Sequence, residues 1–290
     1  MSLAFRELHA AWAARGSMMR RMVLCVLPLL LLACQREAPV PAQPAAGSAG
    51  ADPEAVQPLA EVPVKLEDVV EMDPRYIVGI SYPPEANKYP GLAAELHRFA
   101  QAARDELKQA LPGAELQPGV TYDLSLSFTT LLDTPRVLAI AADGGSYTGG
   151  AHDNPIIARF FWLVREERLL TADELVVGAG DWQAISDYVR EQLHAALSQR
   201  IDADELEPAE RSRMMQTAGR MIDEGARPDV ANFQQFEPIA GPGGKLAGLR
   251  FVFPPYQVGP YSDGVQTVEV PASVLVPHVA PAYRDLFVAG

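Results

Sequence analysis

The stretch GLRFVFPPYQVGPYSDGVQTVEV, Gly248 to Val270, constrains this chain more than any other. Leu249, Phe251 and Phe253 recur at every second residue with Arg250 and Val252 between them, the period of a strand that lays one face on a core. Val265 to Val270 reads as a second strand. Between the two, Pro254-Pro255, Gly259-Pro260 and Asp263-Gly264 stop ladder pairing and turn the backbone repeatedly. The connection PPYQVGPYSDG runs to eleven residues, whereas an ordinary hairpin loop has about two to five, and long ordered loops carry function more often than tight ones. Tyr256 and Tyr261 have two readings there. Their rings either face a partner with a polar tip or lie on the core and tie the loop down.

With 48% hydrophobic and 21% charged residues over 290, the chain can bury a sizeable core. Its N-terminus reads as a processing segment. After Arg20-Arg21, the apolar run Met22 to Ala33 is too short to span a bilayer as a helix but fits the core of a signal peptide over residues 1–33. Met18 or Met19 stands where such a peptide would start, which makes Met1 to Ser17 an extension. Leu31-Leu32-Ala33-Cys34 resembles a bacterial lipobox, which implies cleavage before Cys34 and acylation of its thiol. Each buried acyl CH2 contributes about 0.8 kcal/mol, so several chains hold a protein on a membrane. Gln35 after the cysteine, by resemblance to bacterial sorting rules, favours the outer membrane facing the periplasm. The alternative is an ordinary secreted chain in which Cys34 is incidental. Residues 34–64 are rich in Pro and Ala, the composition of a flexible tether.

Cys25 would leave with the signal and Cys34 would be lipidated, so the mature domain has no thiol for a disulfide, a nucleophile or a zinc site. The net charge of −13 argues against nucleic acid and against lying flat on anionic lipid. It favours a basic partner, or serves solubility alone.

Arg75 to Tyr82 alternates as a first strand that Pro83-Pro84 ends. Leu92, Leu96, Phe99, Ala103, Leu107 and Leu111 recur at three and four, an amphipathic helix opened by Pro90 and closed by Pro112-Gly113. Val120 to Phe128 alternates buried and wet residues, and Val137 to Ala142 and Ile156 to Val164 follow as more continuously apolar strands. The order predicts an α+β fold: antiparallel sheets with helices on one face, in two sub-domains. Helices follow from Asp181 and over Pro208 to Gly225. Met214, Met215 and Met221 on the latter read as adaptable core. Ala231 to Ile239 leads back toward the opening stretch. His97 reads as a helix-surface residue and His194 as structural.

Asp143 to Pro155, DGGSYTGGAHDNP, reads as a loop in which Gly144-Gly145 and Gly149-Gly150 permit positive φ. Tyr147 and His152 are then held on a shaped tip. His152 has two readings, a titrating contact residue or a loop cap bonded to a backbone carbonyl.

Two blocks carry a family resemblance. Gly248-Leu249, Phe251-x-Phe253, Pro255-Tyr256-x-Val258-Gly259-Pro260-Tyr261-x-x-Gly264 and Val268-x-Val270-Pro271 are similar to the C-terminal signature of the RsiV-like domain family. That family includes the extracytoplasmic part of a lysozyme-sensing anti-sigma factor and non-catalytic domains attached to peptidoglycan deacetylases. Tyr147-Thr148-Gly149-Gly150-Ala151-His152 resembles the motif of the PdaC-like domain that precedes it, and Leu169 to Leu175 resembles the junction. The resemblance implies a PdaC-like domain over 65–171 and an RsiV-like domain over 172–290. It further implies a sensing surface of Tyr147, Gly149, Gly150, His152, Tyr256, Tyr261 and Asp263 at one end of the fold. The partner would be a basic lysozyme-like enzyme or a peptidoglycan fragment, with no cofactor.

His97, His152, His194 and His278 form no short-spaced pair of the kind a zinc deacetylase needs, so no metal site is expected. Ser146, His152 and Asp153 are too close in sequence to aim at one another as a triad, and no nucleophile elbow surrounds Ser146. Paired carboxylates acting with His152 leave a peptidoglycan hydrolase or deacetylase open as the alternative. The lipobox reading has a direct check: Cys34→Ala moves the protein from the membrane pellet to the soluble fraction and abolishes incorporation of radiolabelled fatty acid.

Overall fold

The computed structural model describes residues 64–111, 120–203 and 206–289. The signal-peptide, lipobox and tether readings, and the helix stop at Pro112-Gly113, lie outside the described residues. The remainder is a mixed α+β structure built on two sheets.

Strands β1 (Val69–Asp73), β2 (Tyr76–Ser81), β3 (Tyr122–Asp133), β4 (Val137–Tyr147), β5 (Asn154–Leu163) and β6 (Arg168–Leu169) form a six-stranded sheet in that order. The expected helix is α1 (Pro90–Ala110), with Pro90 in its first turn, where a missing N–H costs nothing. It buries Leu92, Leu96, Ala100, Ala103 and Leu107. Phe99 meets Phe160 edge to face at 5.5 Å between centroids. Because α1 carries the chain from one end of the sheet back to the other, β3 enters beside β2 in the same direction. The β2–β3 pair is therefore parallel, within a sheet whose other described pairs are antiparallel as expected. β1 is a further strand, joined antiparallel to β2 by the two-residue turn Pro74-Arg75.

The stretch expected as a loop from Asp143 is half strand. β4 continues through Asp143-Gly144-Gly145-Ser146-Tyr147 in register with β3, so the connecting tip spans only residues 148–153. Gly144 is there for close approach rather than for its φ, since a Cβ would stand 2.0 Å from the Ser125 carbonyl oxygen. Positive φ is found at Gly149 (93°) and Gly150 (127°).

Helices α2 (Ala172–Leu175), α3 (Ala179–Ala203) and α4 (Pro208–Gly225) follow, and then a three-stranded antiparallel sheet of β7 (Phe236–Ala240), β8 (Leu246–Phe253) and β9 (Gln266–Pro271). Leu249, Phe251 and Phe253 of β8 are fully buried, as their alternation predicts. Val252 is buried too, so β8 packs on both faces. Trp182 and Ile185 of α3, Ile222 of α4, and Phe233 and Phe251 belong to one apolar cluster. Met214, by contrast, is exposed rather than core. The stretch from Ala231 begins as a turn of 3-10 helix, Val230–Phe233, capped by Asp229, whose side chain accepts from the Ala231 N–H at 3.0 Å. The chain closes through the short helix α5 (Ala272–Leu275) and further 3-10 turns.

The two sheets share that cluster. Val137, Ala139, Phe161 and Leu163 reach it from the side of the first sheet opposite α1, and Phe161 and Phe236 lie 5.6 Å apart across the seam. One guanidinium crosses the same seam. Arg159, with only 7% of its side chain exposed, donates through Nε to Glu237 Oε1 at 2.6 Å and through Nη1 to Asp143 Oδ1 at 2.9 Å. Its backbone N–H donates to Gln235 Oε1 at 2.8 Å. Glu237 also accepts from Arg250 Nη1 at 3.2 Å, and Arg250 pairs with Glu269, so the central row of the second sheet alternates in charge. Removing Arg159 would leave the Glu237 carboxylate with only the longer Arg250 contact. Arg159→Met should cost about 3 kcal/mol in denaturant unfolding, and Arg159→Met/Glu237→Met should recover part of it, since the under-compensated carboxylate is gone.

Candidate functional site

The β4–β5 tip and the β8–β9 connection meet. His152 is exposed on the first; Tyr256 and Tyr261 rise from the second. The Tyr256 hydroxyl and His152 Nε2 are 2.9 Å apart, and His152 Nδ1 is 2.9 Å from the Asp153 carbonyl oxygen. A carbonyl only accepts, so in the neutral ring Nδ1 carries the hydrogen and Nε2 receives the Tyr256 hydroxyl's. The imidazole lies flat on Tyr261, with centroids 4.0 Å apart at 17°, and Tyr256 flanks Tyr261 at 5.6 Å. These contacts match the loop-cap reading of His152: one nitrogen bonds a backbone carbonyl of its own loop, and the other bonds Tyr256 of the neighbouring loop.

The loop around these rings is braced from several sides. Tyr256 has φ 71°, the left-handed region that a bulky side chain rarely occupies. Its N–H donates to the Gly259 carbonyl at 3.0 Å, which holds the turn. Gln257 donates from Nε2 to the carbonyls of Gly225 and Asn232, both at 2.9 Å, and so ties the loop to the end of α4. At Gly225 a Cβ would stand 1.8 Å from the Gln257 carbonyl oxygen, so only glycine lets the loop seat there. Val258 is buried beneath.

Of the residues expected at a sensing surface, His152, Tyr256 and Tyr261 form one cluster. Tyr147 ends β4 and donates to the Gly150 carbonyl at 3.2 Å, where it shapes the tip between the exposed Gly149 and Gly150. Asp263 is mostly buried, with Arg200 Nη1 at 2.8 Å from its Oδ2. The contact is an ion pair off the hydrogen-bonding direction. Asp263 therefore fastens the β8–β9 connection to α3. Gly259 allows that carboxylate close, since a Cβ would lie 3.1 Å from Asp263 Oδ2.

Two carboxylates outside the expected sensing surface also lie here. Asp123 faces Tyr147 across β3 and β4, and Asp153 follows His152 and lies over Gly145. Burial, and then the Asp153 charge, raise the Asp123 pKa above its ordinary value. Among the described residues no group of three His, Cys, Asp or Glu side chains is placed to hold a metal ion. His194 bonds Asp223 at 3.0 Å and His278 bonds Asp181 at 2.9 Å, both away from the cluster in the fold's helical part.

Residues 176–273 match the family described as Protein of unknown function (DUF3298), so the chain carries a DUF3298 domain there. A crystal structure of a member of that family from Bacteroides fragilis NCTC 9343 is similar at 16% identity and a TM-score of 0.47, over 75% of this chain and 93% of that one. A DUF3298 family protein from Pseudomonas aeruginosa PAO1 is similar at 16% identity and a TM-score of 0.46, over 77% of this chain and 96% of that one. No curated protein matches.

The raised pKa of Asp123 fixes a sign. The folded chain holds that proton more tightly than the unfolded chain, so the group favours folding at acidic pH and opposes it once pH rises through the folded value. Asp123→Asn should raise the melting temperature at neutral pH, and the gain should vanish below the ordinary carboxylate range.

Proposed function

We propose that this is a non-catalytic recognition protein of the cell envelope, lipid-anchored at Cys34 on the periplasmic side of the outer membrane. In this reading His152, Tyr256 and Tyr261 dock a cell-wall-related ligand or a basic wall-degrading enzyme of the lysozyme type. The observation that carries it is the closed set of contacts between the two tips: three rings from two distant parts of the chain, fixed in place around a tyrosine held at positive φ. Ring faces braced before binding lose little conformational freedom on contact, which is how a small aromatic patch yields affinity.

Charge supports the basic partner. The chain has net charge −13, and the segment expected to be removed, Met1 to Ala33, holds four arginines against one glutamate, so the mature protein is more acidic still. Opposite net charge raises the encounter rate and makes it salt-dependent. Within the same domain pair, the finer RsiV-like and PdaC-like assignments support a sensing role through their resemblance alone.

A second reading has its own observation. Asp123, whose pKa is raised by burial and by the Asp153 charge, lies near the residue that follows His152, and a carboxyl with a raised pKa together with an imidazole is the kind of acid-base pair used by a hydrolase or deacetylase acting on peptidoglycan. Product release from purified cell wall, lost in His152→Ala, would favour it.

Calorimetry of the intact protein against lysozyme and against muropeptides tests the leading reading. Lysozyme should bind with an affinity that falls as salt rises, and Tyr256→Ala and Tyr261→Ala should each weaken the complex by about tenfold or more, as aromatic anchors do. Heat with neither titrant would sink it.

A further inference from the structure

Three of the large apolar side chains most open to solvent are one patch at the end of the first sheet. Val70 is 76% exposed, Met72 81% and Ile77 43%. Met72 stands opposite Ile77 across β1 and β2, and Val70 lies two residues along on the same face. That face is opposite α1, because β2 sends Val78 and Ile80 inward and leaves Ile77 out. Among the described residues, Val70 and Met72 also sit on a strand with no outer neighbour. The sheet's other edge, β6, has only two residues.

The hairpin fixes which backbone groups are free. With a two-residue connection, Asp73 and Tyr76 are the closing hydrogen-bonded pair, so by alternation Val69, Glu71 and Asp73 bond β2. Val70 and Met72 then turn their N–H and C=O groups outward. β1 contains no proline or lysine, the usual guards of a free edge.

We infer that this edge pairs with the same edge of a second copy, antiparallel about Glu71, to join two six-stranded sheets into one. The sequence of β1 is self-complementary in that register. Val70 of each copy faces Met72 of the other and exchanges both backbone bonds with it, and the two apolar pairs meet on one face with Ile77 beside them. On the opposite face Glu71 meets Glu71, but each is already paired with Arg104 and has Lys108 Nζ at 3.5 Å, so cations line the junction on both sides. The same register sets Glu67 of one copy level with Arg75 of the other. A second copy therefore satisfies the apolar face, the free backbone groups and the local charges together. A generic basic peptide would find Arg104 and Lys108 in its path.

Sedimentation of the intact wild-type protein across a concentration series should show a doubled mass. Raised salt should strengthen the association, because it screens the overall negative charge of the two copies while sparing backbone and apolar contacts. Met72→Pro removes an outward N–H, a substitution edge strands tolerate, and should return the protein to single-chain mass with an unchanged circular dichroism spectrum. If that variant misfolds, Val70→Lys/Met72→Lys gives the same readout from the surface. A wild-type protein that stays at single-chain mass at its highest concentration overturns the inference. So does a dimer that survives the folded variants, or one that salt dissolves.

Discussion

The structure depends on one buried cation. Arg159 lies where the first sheet's second face disappears under the C-terminal sheet, and its guanidinium is shared between Glu237 beyond the seam and Asp143 on the neighbouring strand. Apolar contact such as Phe161 on Phe236 is not directional, so it holds the sheets together without choosing their register. The ion pair chooses it, because a carboxylate and a guanidinium meet well in few geometries and a slip of either strand would leave both charges dry. From Arg159 to the start of β5 is five residues, and from Arg250, opposite Glu237, to the end of β8 is three. At roughly 3.3 Å per residue both hairpins therefore leave the seam on short rigid arms. That is why His152 and Tyr256 can be neighbours although 104 residues separate them.

Much of this was legible in the sequence where one periodicity dominated. The stripe of α1, the alternation of β3 and that of β8 each appear in the structure because burial on one face leaves a period that composition does not blur. β1 was not legible. Its apolar residues Val70 and Met72 face solvent and its acidic Glu71 faces the helix, the reverse of the pattern that marks a strand. Parallel pairing of β2 and β3 was equally hidden, since nothing in a strand's own residues records the direction of its neighbour.

At the site, glycine was a good guide to close approach and an incomplete one to backbone angle. Gly149 and Gly150 adopt positive φ, while Gly144 is present because Ser125 leaves no room for a side chain. The unexpected left-handed residue is a tyrosine, Tyr256. Asp263 looked like a group offered to a partner, yet Arg200 on α3 claims it, a long-range contact that no local spacing announces.

A left-handed backbone costs a non-glycine residue roughly 1–2 kcal/mol, and a turn built from Pro254, Pro255 and Gly259 could have placed glycine or asparagine at that position without the cost. The ring itself is what the position retains, and its hydroxyl occupies His152 Nε2 while the Asp153 carbonyl occupies Nδ1. An imidazole with both nitrogens engaged has no edge left for a ligand. In the resting structure His152 therefore acts as a positioning residue, holding Tyr256 against Tyr261, and the groups left for contact are ring faces and phenolic oxygens. For His152 to take a proton from a substrate or water, Tyr256 must first let go, and the braces at Gln257 and Gly259 hold it where it is. The same contacts that favour a ready docking surface thus oppose general-base chemistry at this ring.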